Sequence, residues 1–183
     1  GDTALLVHAL AAIGRKFPAA ELHAFVSEAA APLLEHLPAL NRVWRVPRTH
    51  GRAQFKKNWP VIRALRAERF DCSVEFGGND RGAILSFLCG ARERIGFENA
   101  GGFWGRHLYF TRQTAPAPPD RHEWLRLFAV LSALEIAPSP VPETTIYSDP
   151  TLDAVVAKTP FAEAIICHMG AGMAKKQWPV AAG

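Results

Sequence analysis

Apolar positions recur with helical spacing over residues 3–16, where Leu5, Leu6, Ala9, Leu10 and Ile13 form one stripe and Gly14 and Pro18 bracket the end. The pattern then alternates. Residues 21–26 place Leu22, Ala24 and Val26 on one face and predict a short strand. A short helix is expected over 28–36, stopped by Pro38, and a strand over 43–46. Residues 54–68 are helical in pattern, with Pro60 predicting a kink or a break. Residues 71–76 predict a strand running into Gly77-Gly78, residues 83–89 a helix, and residues 91–96 lead to another short strand. A glycine-rich loop follows over 98–105, and a helix is expected over 122–134, framed by prolines on both sides. The apolar run 162–167 has the length of a buried strand. It ends in Gly170-Ala171-Gly172, with a helix expected near Pro179.

Strands that alternate with helices imply βαβ units, hence an α/β fold with a Rossmann-like parallel sheet covered on both faces. Ligands in such sheets bind outside the carboxyl ends of the strands. Three loops have that position here: Gly1-Asp2, residues 77–81 and residues 168–178. The first requires a strand ahead of Gly1. With no initiating Met and with a helix just beginning at the last residues, the 183-residue chain reads as part of a larger protein.

Composition narrows the class. Hydrophobic residues make up 49% and charged residues 21%, enough apolar surface for a packed core and too little charge for a disordered tail. No apolar run approaches the roughly 20 residues that span a bilayer. Cys72, Cys89 and Cys167 are too widely spaced for a CxxC zinc pair and too few for a disulfide framework, which favours a reducing compartment.

Charge is unevenly placed. Between Arg42 and Arg69 there are nine Lys/Arg and one acid, Glu68, so this block carries +8 and the remaining residues −4. Such a zone suits an anionic partner, or simply a solvated helix face. Trp44, Phe55 and Trp59 interleave with the charges, a mixture that also suits a membrane surface. No helix-turn-helix, zinc finger or aromatic RNA-binding motif accompanies the block, so nucleic acid is not the expected partner.

Most catalytic motifs are missing. Gly170-Ala171-Gly172 opens like a dinucleotide fingerprint, but Lys175 stands where the third glycine belongs, and no Gly-Lys-Ser/Thr follows. Seven histidines give no His-x-x-x-His pair, and Cys167 and His168 point to opposite faces of their strand. No nucleophile elbow and no Asp-x-Asp pair occur, so no metal site is expected. Two features remain. Asp2 stands before the first helix and reads on its own as a helix cap. In residues 170–179 an apolar strand delivers glycines, then Lys175-Lys176, then Trp178-Pro179 at a helix start. Free backbone N–H groups, a positive dipole end and a lysine make a phosphate site; the alternative is a lysine-bearing surface loop.

These residues resemble glycosyltransferase family 9, the ADP-heptose lipopolysaccharide heptosyltransferases, over essentially the whole chain. The resemblance runs through Gly1-Asp2-Thr3 to Leu10, Phe17-Pro18-Ala19-Ala20-Glu21-Leu22, and Leu37-Pro38-Ala39-Leu40-Asn41-Arg42-Val43. It continues through Arg69-Phe70-Asp71, the segment from Gly78 to Ala83, and Arg94-Ile95-Gly96-Phe97. The most specific part is His168-x-Gly170-Ala171-Gly172 with Lys176-Gln177-Trp178-Pro179.

The resemblance implies a GT-B architecture, two Rossmann-like domains across a cleft. Residues 1–147 would be the acceptor-binding N-terminal domain, lacking its first strand, and 148–183 the linker and the beginning of the nucleotide-sugar donor domain. It implies inverting transfer of heptose from ADP-heptose to the lipopolysaccharide inner core, with no metal and no cofactor besides the nucleotide-sugar donor. Asp2 would be the catalytic base. Lys176, or its neighbour Lys175, would hold the donor phosphates with Gly170 and Ala171. Arg81 and Gly78 would contact an anionic glycolipid acceptor, and His122 is a weaker candidate at a helix start. The implied location is cytoplasmic, peripheral at the inner face of the bacterial inner membrane, with the basic block toward the headgroups. Two alternatives stay open: a catalytically incomplete acceptor- or phosphate-binding fragment, and a family relative using another nucleotide sugar.

Overall fold

The computed structural model describes residues 2–46, 55–98, 103–138 and 150–158. The chain divides into two compact units, Gly1–Tyr147 and Ser148–Gly183. In the second, the described residues include one helix, α5 (Pro150–Val156).

The first unit opens with α1 (Asp2–Lys16), whose last turn carries Arg15 and Lys16 against the negative end of the helix dipole. Strands β1 (His23–Ser27) and β2 (Arg42–Val46) pair in parallel, joined through a 3-10 segment, Glu28–Leu33. The expected α-helix there is a 3-10 segment containing Pro32, whose ring would crowd the carbonyl four residues back in an α-helical turn. Helix α2 (Phe55–Ala67) runs through Pro60 without dividing. Pro60 lies near the amino end and is exposed, so its missing donor costs one early bond.

A second parallel sheet follows. Its strands are β3 (Cys72–Val74), β4 (Glu93–Phe97) and β5 (Arg112–Thr114), in that order across the sheet. Helix α3 (Asp80–Leu88) joins β3 to β4, and a 3-10 turn, Arg106–Tyr109, precedes β5. Helix α4 (Glu123–Ala129) continues into a 3-10 turn, Val130–Leu134. The one expected sheet is therefore two among the described residues, β1-β2 and β3-β4-β5.

Helix α1 belongs to both halves. Val7 and Leu10 pack with Ala24, Leu34 and Leu37, whereas Ala9, Ala12 and Ile13 pack with Ile95, Phe97, Phe128, Val130 and Leu131. Each fully buried aliphatic side chain there contributes about 1.5–3 kcal/mol of transfer free energy. A third cluster, Trp44, Leu65, Cys89 and Ala91, seats α2 between β2 and the end of α3. No helix among the described residues is long and apolar enough to cross a membrane.

Candidate functional site

The best-defined polar cluster gathers at the carboxyl end of β3. Glu75 directly follows the strand, and its backbone N–H still donates to the Ile95 carbonyl of β4 at 2.9 Å. Its side chain turns back under the loop. Oε1 accepts from the Gly77 N–H at 2.8 Å and Oε2 from the Gly78 N–H at 2.9 Å. Gly78 has φ +59°, a left-handed conformation in which glycine carries no Cβ penalty. Asn79 then caps α3, its Oδ1 accepting from the Gly82 N–H at 2.9 Å, an interaction worth about 1 kcal/mol.

Arg106 closes the cluster from the other side. Its guanidinium is buried and its Nη1 donates to the Phe97 carbonyl at the end of β4, at 3.1 Å. Nη2 lies 3.6 Å from Glu75 Oε2, and Nε lies 3.6 Å from Asp80 Oδ1 in the first turn of α3. One arginine thus links the carboxyl ends of two strands and the start of a helix. Burial pushes the Glu75 carboxyl above its ordinary value, and this outweighs the Gly77 and Gly78 amides and the Arg106 charge, which pull it down.

Arg81 is the second residue of α3 and half-buried. Among the described residues its guanidinium has neither a hydrogen-bond nor an ion-pair partner, so its donors stay available to an anion at the helix start. Gly78 is in the same loop, but its amide N–H is already held by Glu75. A ligand can meet Gly78 only at other atoms. Asp2 is the first residue of α1. Gly170, Ala171, Lys175 and Lys176 lie outside the described residues, as do the expected strand 162–167 and the helix near Pro179.

The basic block is less free than its charge count suggests. Arg42 donates to Glu68 at 3.0 Å and lies over the Trp44 ring, and Arg45 donates to Glu35 at 2.8 Å. Arg66 reaches the Leu88 carbonyl at 3.5 Å. His122 is a cap: its Nδ1 accepts from the Trp124 N–H at 3.3 Å at the start of α4.

Glu75 and Arg106 were not singled out by sequence reasoning. Glu75 had a local signal, an acid at the end of a strand directly before two glycines whose amides need acceptors. Arg106 had none, because it reaches the cluster only through the fold.

No protein-family model matches the sequence, and no curated protein sequence does. Solved structures do match in fold. The crystal structure of a family 9 glycosyl transferase from Veillonella parvula superposes with a TM-score of 0.80 at 17% identity, over 98% of this chain and 53% of that one. The E. coli heptosyltransferase WaaC with ADP matches with a TM-score of 0.60 at 19% identity, over 79% of this chain and 48% of that one. E. coli ADP-heptose lipopolysaccharide heptosyltransferase II gives 0.61 at 13% identity, over 84% and 45%. The fold is thus the parallel α/β fold of the GT-B glycosyltransferases, and the chain spans about half the length of the structures it matches.

Proposed function

We propose that this chain is the acceptor-side half of a metal-independent, inverting glycosyltransferase of the heptosyltransferase type. It would receive an anionic glycolipid of the lipopolysaccharide inner core and present it to an ADP-heptose donor. The observation that carries the reading is Arg81, without a partner among the described residues at the start of a helix that follows a parallel strand, in a chain whose fold matches a family 9 structure over 98% of its length.

In this reading the Asp2 carboxylate takes the proton of the acceptor hydroxyl as the new C–O bond forms on the anomeric carbon. The bond from that carbon to the diphosphate oxygen breaks on the opposite face, and ADP leaves with the electron pair. Such base assistance contributes about 10²–10⁴-fold. Lys176 neutralises the developing diphosphate charge, with Lys175, Gly170 and Ala171 beside it, in place of a metal. Arg81 grips a phosphate or carboxylate of the acceptor in fork geometry.

The test separates binding from transfer. The 183-residue chain, incubated with ADP-heptose and heptose-deficient inner-core lipopolysaccharide, is expected to bind the acceptor through Arg81 and to form no product. A longer protein carrying the donor half is expected to transfer heptose in the presence of EDTA. Acceptor binding that survives Arg81→Ala unchanged, or transfer abolished by EDTA, overturns the reading.

A further inference from the structure

The Glu75 carboxylate sits where such a loop would hold a ligand anion. Two successive backbone N–H groups at the start of a helix ordinarily form a concave anion site. Here both close on a carboxylate from the chain itself, at 2.8 and 2.9 Å. Gly82 has no Cβ, and one built there would overlap Glu75 Oε1, so the first turn of α3 packs directly on the carboxylate. Asp80, one residue before Arg81, is tied through Arg106 to the end of β4.

Stability is a poor explanation for this arrangement. A buried ion pair seldom outperforms apolar residues of the same volume. The contacts between Arg106 and its two carboxylates are long, at 3.6 Å, and among the described residues Nε and Nη2 of Arg106 have no hydrogen-bond partner. What the carboxylate does provide is a single loop geometry, fixed from inside by two bonds, from which Arg81 projects.

We propose that Glu75 is a positioning residue: by binding the Gly77 and Gly78 amides and engaging Arg106, it fixes the start of α3 so that Arg81 can hold the anionic group of the acceptor. This rests on the reading of Arg81 given above. The group recognised is an oxyanion, phosphate or carboxylate.

The experiment is a double-mutant cycle on the 183-residue chain, with inorganic phosphate as probe and acetate in a parallel arm, binding being measured by isothermal titration calorimetry in every variant. Wild-type protein should bind at least one of the two, and the tighter names the group. Arg81→Ala should abolish binding. Glu75→Gln should weaken it at least tenfold, Glu75→Asp should restore part of the loss, and Glu75→Gln with Arg81→Ala should be no worse than Arg81→Ala alone. Asp80→Asn, at a partly exposed carboxylate, should weaken binding about threefold and serves if Glu75→Gln does not fold. Binding lost in Arg81→Ala but kept in Glu75→Gln, or in Asp80→Asn where Glu75→Gln is unfolded, overturns the positioning role alone. Binding unaffected by Arg81→Ala, or missing for both anions, overturns the reading of Arg81 and the positioning role with it.

Discussion

Gly82 and Glu75 occupy one space: a Cβ on Gly82 would overlap the Glu75 carboxylate, so the α3 start and the buried acid fit only because position 82 has no side chain. Overpacking a buried site costs about 1–3 kcal/mol. Gly82→Ala is expected to lose that much in urea unfolding, although alanine favours a helix over glycine. Adding Glu75→Ala should recover part of the loss by vacating the space. Equal unfolding midpoints for Gly82→Ala and wild type would show that the two residues do not compete.

Much of the architecture was legible, and the reason is periodicity. The helical stripe of α1, the alternation of β1 and the apolar face of α4 each repeat over enough residues to be read locally. The rest depended on tertiary partners. Strand β5 is three residues, Arg112-Gln113-Thr114, with no apolar alternation, and it exists because β4 offers it a parallel edge. Helix α3 starts three residues before its apolar run, at a point set by the Asn79 cap. The candidate site was legible in part: the glycines and Arg81 could be seen, whereas Arg106 joins Glu75 from 31 positions away along the chain.

Burial raises the Glu75 carboxyl above its ordinary 4.5 in the folded chain. Between the unfolded value and the raised folded value, folding takes up a proton, so this group's contribution to stability falls as pH rises through that window. Glu75→Gln removes the contribution. The difference in unfolding free energy between wild type and Glu75→Gln should therefore shift against wild type from pH 4 upward and level off above the folded value. A difference that moves in favour of wild type over that range would mean that the Gly77 and Gly78 amides and Arg106 outweigh burial.

Cys72 opens β3 and is exposed as a residue, yet its thiol is pushed up from 9.0 to about 11. Burial of the thiol is the main cause and Glu93 adds to it, against the opposing pull of Arg112. The thiolate is the reactive form, so iodoacetamide at pH 8 should modify Cys72 about 100-fold more slowly than an unperturbed thiol. Glu93→Gln should speed the reaction. Modification of wild type at the rate of a free thiol would contradict this environment.

The basic block makes an uneven prediction for anionic surfaces. Arg42 and Arg45 already donate to Glu68 and Glu35, whereas Arg63 and Arg69 have no ion-pair partner among the described residues. An unpaired Lys or Arg near an anionic bilayer is worth about 1 kcal/mol. Replacing Arg63 and Arg69 by Gln should weaken binding to phosphatidylglycerol vesicles about tenfold or more. Replacing Arg42 and Arg45 should change it less than about twofold, by the same reckoning. The opposite order would mean that the ion pairs open at the membrane.

Asp2, the first residue of α1, is where a cap and a base would coincide. The two roles ask for different chemistry at the same atoms. Capping needs an oxygen that accepts a backbone N–H bond, which Asn supplies as well as Asp. Base catalysis needs an ionised carboxylate, which Asn lacks, and the N–H bonds that make a good cap lower the pKa and weaken the base. Asp2→Asn is therefore the discriminating change. Thermal unfolding should be nearly unaltered, whereas heptosyl transfer by the longer protein should fall about 10²–10⁴-fold at saturating acceptor. Transfer retained in Asp2→Asn together with a lower melting temperature in Asp2→Ala would make Asp2 a cap and leave the acceptor proton to another group.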